Sequence, residues 1–200
     1  MNRRATTGAL AAALVLIAGC STAPATTAAP ASVGATAAPA QALERFATPT
    51  EGILSGGRID ADDLPALRAA GIRHVIDLTP DVETPGFDEA AAVRAAGLAY
   101  YNLPIVGAGD LTPEAVVAFD QLLRGLEGPA LVHCASGNRV GALAALRAAW
   151  MQGADDEAAI AEGRRWGLRS LETEVGSRLA RERCVASAKG RDEAAACHGS

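Results

Sequence analysis

The feature that most constrains the fold is the stretch from Leu131 to Gly141, which reads LVHCASGNRVG. Residues 130–133 predict a short buried strand, the segment around Gly137 predicts a tight loop, and residues 139–151 predict an Ala- and Leu-rich helix. A loop between a buried strand and a helix turns backbone N–H groups toward one point, and the positive end of the helix dipole adds to them. We therefore expect an anion-binding loop here.

Cys134 stands at the start of this loop and Arg139 near its end. The loop amides, the helix dipole and the guanidinium group would all favour a thiolate at Cys134 and an oxyanion above it. We therefore predict that Cys134 is a nucleophile. The alternative is a buried structural thiol, because free cysteine is among the most buried residue types. The residues predicted to bind the substrate are His133, Ala135, Ser136, Gly137, Asn138, Arg139 and Val140.

Strand and helix patterns alternate along the rest of the chain. The predicted strands are residues 51–57, 72–78, 100–105 and 130–133, and the predicted helices between and after them are residues 62–70, 87–96, 113–126 and 139–151. Thr112 and Pro113 are the expected N-cap and first residue of the third helix. Two further helices are expected at residues 155–163 and 170–180. This order predicts an α/β fold with a mainly parallel central sheet flanked by helices, and a site at the carboxyl ends of its strands.

The run VHCASGNRVG resembles the phosphate-binding loop of cysteine-dependent protein phosphatases, the tyrosine and dual-specificity group, in which His-Cys precedes a glycine-bearing loop and an arginine. It is also similar to a bacterial group of phosphatase-like domains, known from beta-lactamase hydrolase-like proteins, whose loops read Cys-x-Ser-Gly-x-Arg. That resemblance extends from about Gly52 to Trp150 and includes residues 54–57 and 78–83. It implies a cysteine-dependent phosphatase-like fold and a metal-independent hydrolase without a cofactor.

The resemblance also implies residue roles. Cys134 would attack phosphorus and form a thiophosphate, while the loop amides and Arg139 hold the phosphoryl oxygens. An aspartate in a loop upstream of the cysteine protonates the leaving oxygen in the phosphatase superfamily, and Asp110 is best placed to do so here. Asp77 and Asp81 compete for that role, and Asp110 could instead be only a favourable charge near a helix N-terminus. His133 would help to fix the loop, unless it is a structural histidine at a strand end.

Two departures from the phosphatase pattern leave other functions open. Only four residues separate Cys134 from Arg139, where the phosphatases have five, and this spacing is similar to that of rhodanese-type sulfurtransferases. Val140 replaces the serine or threonine that usually follows the phosphatase arginine. The first alternative is therefore a rhodanese-like sulfurtransferase carrying a persulfide on Cys134. The second is a non-catalytic envelope lipoprotein that uses the loop only to bind an anion.

The charge pattern narrows the range of partners. The chain of 200 residues has a formal net charge of −5, and its lysines and arginines are scattered. This excludes the basic face that nucleic-acid binding requires. The expected partner is a phosphorylated substrate, either a protein or a small molecule.

The N-terminus predicts the compartment. Residues 1–19 have the positive start, the apolar run and the small residues of a signal peptide, and they resemble a bacterial lipoprotein signal with Cys20 as the lipidated residue. The alternative is an ordinary cleaved secretory signal. The resemblance implies a membrane-anchored lipoprotein of the cell envelope that faces the periplasm, on the outer rather than the inner membrane. Residues 20–41 add an Ala-, Thr- and Pro-rich tether.

The remaining residues form the predicted phosphatase-like domain, 42–183, and a C-terminal tail, 184–200. The tail contains Cys184 and Cys197. An oxidising compartment permits these two cysteines to form a disulfide, whose geometry the sequence alone does not test.

Overall fold

A five-stranded sheet lies at the centre of residues 42–197, the part of the chain that the computed structural model describes. The predicted signal peptide, Cys20 and the tether lie outside these residues. The strands are β1 (Ala47–Thr50), β2 (Ile53–Gly56), β3 (His74–Asp77), β4 (Ala99–Asn102) and β5 (Ala130–His133). Their order in the sheet is β1-β2-β5-β3-β4. All neighbours are parallel except β1 and β2, so the predicted mainly parallel α/β architecture is confirmed.

Seven α-helices accompany the sheet in the described part of the chain. They are α1 (Leu64–Ala69), α2 (Glu89–Ala95), α3 (Pro113–Arg124), α4 (Asn138–Gln152), α5 (Asp156–Arg165), α6 (Glu172–Ser187) and α7 (Arg191–Ala196). The Thr112 side chain caps α3 by accepting from the N–H of Ala115 at 3.2 Å, as the sequence predicts. None of the helices described here is long and apolar enough to cross a membrane.

The alternation of side chains along each strand divides the core between the two faces of the sheet. Val75 and Leu131 face the cluster that includes residues of α1 and α2, while Ile76 and Val132 face the cluster built with α3, α4, α5 and α6. In the same alternation His133 faces α2 and Cys134 faces α4. Two consecutive residues of the motif therefore lie on opposite sides of the sheet.

Helix α4 is the central helix of the larger layer. Its residues from Arg139 to Leu146 are all buried, because α5 packs against it where both helices have a glycine. A Cβ on Gly141 would lie 2.0 Å from the backbone nitrogen of Leu168, and a Cβ on Gly163 would lie 2.7 Å from the carbonyl oxygen of Gly141. The absence of these side chains brings the backbone after α5 directly against the first turn of α4.

The C-terminal segment is helical and covalently closed. The helix α6 crosses the predicted boundary between residues 183 and 184, and α7 follows it within the predicted tail. Cys184 and Cys197 form a disulfide with their Cα atoms 5.7 Å apart. The tail therefore folds back onto α6.

Candidate functional site

The loop that contains Cys134 begins where β5 ends, between β2 and β3. The chain passes from β2 through α1 to β3, but these two strands are not neighbours in the sheet. The later strand β5 lies between them. In open α/β sheets, ligand sites lie at the carboxyl ends of the strands where the strand order changes in this way. The side chain of Cys134 is fully buried on the side of the sheet that α4 covers.

Backbone contacts on both sides hold this loop. The N–H of Arg58 donates to the carbonyl of Ala135 at 3.4 Å, and Gly57 forms an isolated bridge with Ser136. Gly137 has a φ of +84°, a left-handed conformation that favours glycine, and it immediately precedes α4. The first-turn amides of α4 have no acceptor within the helix, so they are available to an anion at Cys134.

Arg139 is held by two other segments of the chain. Its Nη1 and Nη2 donate to Oε1 and Oε2 of Glu83 at 2.9 and 2.7 Å, and Nη1 also donates to the carbonyl of Ile105. The hydrogen bond with Glu83 raises the pKa of Arg139 against the opposing effect of burial, and charge at Cys134 adds to the increase. The predicted loop arginine is thus brought to the predicted nucleophile, with its terminal nitrogens paired to a carboxylate.

Glu83 belongs to a one-turn 3-10 helix, Asp81–Glu83, after β3. The hydrogen bond from Arg139 lowers the pKa of Glu83, burial opposes this shift, and the charges of Arg139 and Arg58 reinforce it. Arg58 Nη2 lies 3.6 Å from Oε2 of Glu83. The site therefore contains two arginines and one ionised carboxylate beside the cysteine.

The ring of His133 contacts a different group of residues from the one predicted. Its Nε2 lies 2.7 Å from Oε1 of Glu89 and 3.8 Å from Oδ1 of Asp77, and within the described residues its Nδ1 has no partner. The alternation along β5 directs the ring toward α2, away from the loop. The backbone of His133 extends the pairing of β5 with β3, because its carbonyl accepts from the N–H of Leu78 at 2.9 Å.

Asp77, Glu89 and His133 are all buried, and each offers one ligand atom within 4.8 Å of the others. These are the residues that could hold a metal ion, a set that sequence spacing does not show. Protein groups already bond to them: Asp77 accepts from the Thr79 N–H at 2.7 Å and from the Tyr100 hydroxyl at 2.9 Å. Burial raises the pKa of Tyr100, and the charge of Asp77 adds to this, so the hydroxyl keeps its proton.

A pocket of about 320 Å³ opens beside this cluster. Its lining includes the acidic residues Asp77, Asp81, Asp88 and Glu89. Asp77 and Asp81, the competing general acids, thus line this pocket.

Asp110 lies close to the site but bonds to its own turn. Its Oδ2 accepts from the N–H groups of Val106 and Gly107 at 2.7 and 3.3 Å, immediately after the Ile105 carbonyl that binds Arg139. Both contacts use Oδ2, so a proton donated by Asp110 would be carried on Oδ1.

Among the other predicted binding residues, Ala135 and Ser136 are exposed, whereas Gly137 and Val140 are buried. The side chain of Asn138 holds the segment after α5, accepting from the Arg169 N–H and donating to the Ser170 hydroxyl, both at 2.8 Å. Asn138 therefore positions the loop from its outer side.

Sequence reasoning did not single out Arg58, Glu83 or Glu89 as site residues. Each contacts the motif across a long separation in sequence, as in the pair of Arg139 and Glu83, which are 56 residues apart. The one available signal was the resemblance of residues 54–57 and 78–83 to the bacterial phosphatase-like group, since Arg58 follows the first segment and Glu83 ends the second.

The family comparison agrees with this geometry. Residues 43–151 match the family described as beta-lactamase hydrolase-like protein, phosphatase-like domain. The chain belongs to this family. The matched region of this phosphatase-like domain runs from the residues before β1 to the penultimate residue of α4 and includes the whole Cys134 loop.

Curated relatives of the phosphatase-like domain are beta-lactamase hydrolase-like proteins. The protein from Xylella fastidiosa is 39% identical over 100 residues, which are 48% of this chain and 23% of the relative. The protein from Agrobacterium fabrum is 37% identical over 81 residues, 38% of this chain and 19% of the relative. The chain thus aligns with about a quarter or less of the length of these relatives.

Solved structures share the fold. A DUF442 protein from Shewanella putrefaciens, whose structure was described as that of a phosphatase, is 25% identical with a TM-score of 0.53. The match covers 71% of this chain and 97% of that one. A protein from Neisseria meningitidis, also described as a phosphatase, is 24% identical with a TM-score of 0.58. The match covers 69% of this chain and 96% of that one. TpbA of P. aeruginosa in complex with pTyr is 21% identical with a TM-score of 0.52, covering 76% and 88%. The phosphatase-like domain therefore has the fold of cysteine-based phosphatases.

Proposed function

We propose that this phosphatase-like domain is a metal-independent, cysteine-dependent phosphatase of the tyrosine and dual-specificity type. The observation that carries the proposal is the position of Cys134 at the end of β5, directly before the N-terminus of α4 and beside the guanidinium group of Arg139. This arrangement supplies a nucleophile, amides and a fixed cation around one point.

The proposed reaction has two steps. The thiolate of Cys134 attacks phosphorus, so that an S–P bond forms while the P–O bond to the leaving group breaks and the leaving oxygen takes a proton from Asp110. Water then gives a proton to Asp110 and attacks phosphorus, so that a P–O bond forms while the S–P bond breaks; inorganic phosphate leaves, and the thiolate and the protonated Asp110 are restored. In both steps Arg139 and the loop amides hold the oxygens on which charge develops.

The test is the intact mass of the reduced chain after rapid quenching with an aryl phosphate, and separately with thiosulfate. With the aryl phosphate we expect a phosphoryl adduct on the unchanged chain and none on Cys134→Ser. The variant should lose turnover of the aryl phosphate and still bind inorganic phosphate. Full turnover by Cys134→Ser would contradict the proposal. Anion binding with no covalent adduct under reducing conditions would instead support the non-catalytic envelope lipoprotein.

A second candidate is a sulfurtransferase with a persulfide on Cys134. Two observations favour it: the loop has only four residues between Cys134 and Arg139, and the carboxylate of Asp110 is bound to the amides of its own turn. Sulfur transfer needs no general acid. Two results together would favour the sulfurtransferase over the phosphatase. One is a single sulfur atom added to Cys134 after exposure to thiosulfate, and the other is a turnover rate of Asp110→Asn equal to that of the unchanged chain.

We also propose that the domain is displayed from the envelope membrane through a lipid on Cys20. The support is the signal-like sequence of residues 1–19 and the tether of residues 20–41, all outside the described residues. In cells expressing Cys20→Ser, the protein should move from the membrane fraction to the soluble fraction. Retention of this variant in the membrane fraction would contradict the lipid anchor.

A further inference from the structure

Arg58 and Glu83 lie beside the Cys134 loop without belonging to the cysteine-arginine motif. Oε2 of Glu83 lies 2.7 Å from Nη2 of Arg139 and 3.6 Å from Nη2 of Arg58. One carboxylate oxygen is therefore shared between two guanidinium groups.

Glu83 occupies the end of the Arg139 guanidinium group that its two terminal nitrogens form. Both terminal nitrogens of the guanidinium group bind the two carboxylate oxygens of Glu83, in the paired geometry with which arginine also binds phosphate. An incoming anion thus meets a carboxylate of the same charge sign already in place.

We propose that Glu83 is an internal counter-ion that an incoming dianion displaces, and that Arg58 is a second anion-binding residue of the same site. The inference rests on the proposed function only in requiring an oxyanion at Arg139.

Burial indicates which groups move. The Arg139 side chain is 10% exposed, whereas those of Glu83 and Arg58 are 29% and 44% exposed. Glu83 ends a one-turn helix whose other residues, Asp81 and Val82, are exposed, so its side chain can turn outward without opening the core. Arg58 is tethered to the loop by the hydrogen bond from its N–H to the carbonyl of Ala135, and its side chain can follow the anion.

The charges specify the ligand class. When Glu83 leaves Arg139, the guanidinium groups of Arg139 and Arg58 lose the carboxylate that they share, and a dianion balances their two charges where a monoanion does not. The site therefore selects phosphate monoesters, or another tetrahedral dianion such as thiosulfate, over phosphate diesters. The pKa of Glu83 is held below its usual range by Arg139 and Arg58, so the competing carboxylate is charged at neutral pH.

The experiment measures the binding of inorganic phosphate to the full chain by titration calorimetry. We expect Glu83→Gln to tighten binding about tenfold, because a charge-assisted competitor is lost. In the Glu83→Gln background, Arg58→Gln should weaken binding about tenfold for the same reason. Glu127→Gln and Arg191→Gln are exposed controls with the same charge changes, and neither should shift binding by more than about twofold.

Two results would overturn the inference. Unchanged or weaker phosphate binding in Glu83→Gln would mean that Glu83 positions Arg139 and does not compete with the anion. No effect of Arg58→Gln in the Glu83→Gln background would mean that Arg58 only neutralises Glu83. This double-mutant comparison separates direct binding by Arg58 from an effect that passes through Glu83.

A ligand comparison tests the dianion preference on the unchanged chain. Methyl phosphate, a dianion at pH 8, should bind at least about tenfold more tightly than dimethyl phosphate, a monoanion. Equal affinities would contradict the inference even if a variant failed to fold.

Failure of the proposed function remains distinguishable. If no phosphoryl adduct forms on Cys134 but Glu83→Gln binds phosphate more tightly, the phosphatase reaction is wrong and the displaced counter-ion stands. If the adduct forms and Glu83→Gln does not tighten binding, the reverse holds.

Discussion

At the scale of single residues, the contact between Glu89 and His133 fixes the residue that precedes the nucleophile. Both side chains are buried, and the 2.7 Å hydrogen bond joins α2 to the end of β5. A buried polar group that loses its partner costs far more than an exposed one.

We predict that Glu89→Ala lowers the free energy of unfolding by about 3 kcal/mol, because it leaves the imidazole of His133 without that partner. Urea denaturation at pH 7 measures the change. Glu172→Ala removes one partner of an exposed pair with Arg164 and is the matched control, which should unfold as the unchanged protein does. Equal urea midpoints for Glu89→Ala and Glu172→Ala would show that the buried contact of Glu89 stabilises the protein no more than the exposed pair does.

The residue scale also shows the limits of reasoning from sequence. The motif order correctly placed Cys134 before a helix and brought Arg139 to it, because these residues are local neighbours. Among residues 42–197 the ring of His133 bonds to Glu89 and not to the loop as predicted, because the two-residue period of β5 turns the ring toward α2. For Asp110, the structure adds the backbone amides that its carboxylate accepts from, which a sequence pattern does not indicate.

At the scale of elements, the contact between α4 and the backbone after α5 depends on a missing side chain. A methyl group on Gly141 would lie 2.0 Å and 2.6 Å from backbone atoms of Leu168. Backbone cannot move aside as a flexible side chain can, so the helices must separate.

We predict that Gly141→Ala destabilises the protein by about 3 kcal/mol and weakens anion binding, since the first turn of α4 forms part of the loop. Thermal denaturation and phosphate titration measure the two effects. Gly176→Ala, within α6 and with no atom within 4 Å of the added methyl group, should be neutral or stabilising by up to about 1 kcal/mol. A melting temperature of Gly141→Ala equal to that of the unchanged protein would show that the two segments can separate without cost.

A second link between elements is pH-dependent. Asp120 of α3 is buried and lies 2.8 Å from both Arg147 of α4 and Arg124 of its own helix. Burial alone would raise the pKa of Asp120, but the hydrogen bonds from the two arginines lower it below its usual range. Its stabilising effect is therefore complete above the ordinary aspartate pKa of about 3.9, and it is lost as the pH falls through the lowered value.

We predict that Asp120→Asn costs about 2 kcal/mol of unfolding free energy at pH 7, and that this difference from the unchanged protein shrinks below about pH 4. Urea denaturation at several pH values measures it. Asp81→Asn, at an exposed position, should show no such pH-dependent difference. A deficit that stayed constant down to pH 2 would contradict the assignment to ionised Asp120.

At the scale of the whole molecule, the disulfide closes a peripheral unit. It joins Cys184 of α6 to Cys197, which follows α7, and α7 packs mainly against α6. The sheet and the Cys134 loop are built without α7, so opening this link should leave them intact.

We predict that the double variant Cys184→Ser, Cys197→Ser keeps its phosphate affinity and melts within about 3 °C of the unchanged protein, the shift that about 1 kcal/mol produces in a domain of this size. Limited proteolysis should cleave it between residues 188 and 197, where the oxidised protein resists. A fall of the melting temperature well beyond this range would place α7 within the cooperative core.

Sequence by itself determined the features that depend on neighbouring residues: the strand, glycine loop and helix around Cys134, the cap at Thr112, and the alternation that gives a parallel sheet. Tertiary structure alone decided the environment of the nucleophile. Glu83 reaches Arg139 across 56 residues and Glu89 reaches His133 across 44, because the sheet order inserts β5 between β2 and β3. Edge strand β1 likewise depends on its pairing with β2, since Ala and Pro, which are depleted in strands, make up half of the segment ATPT.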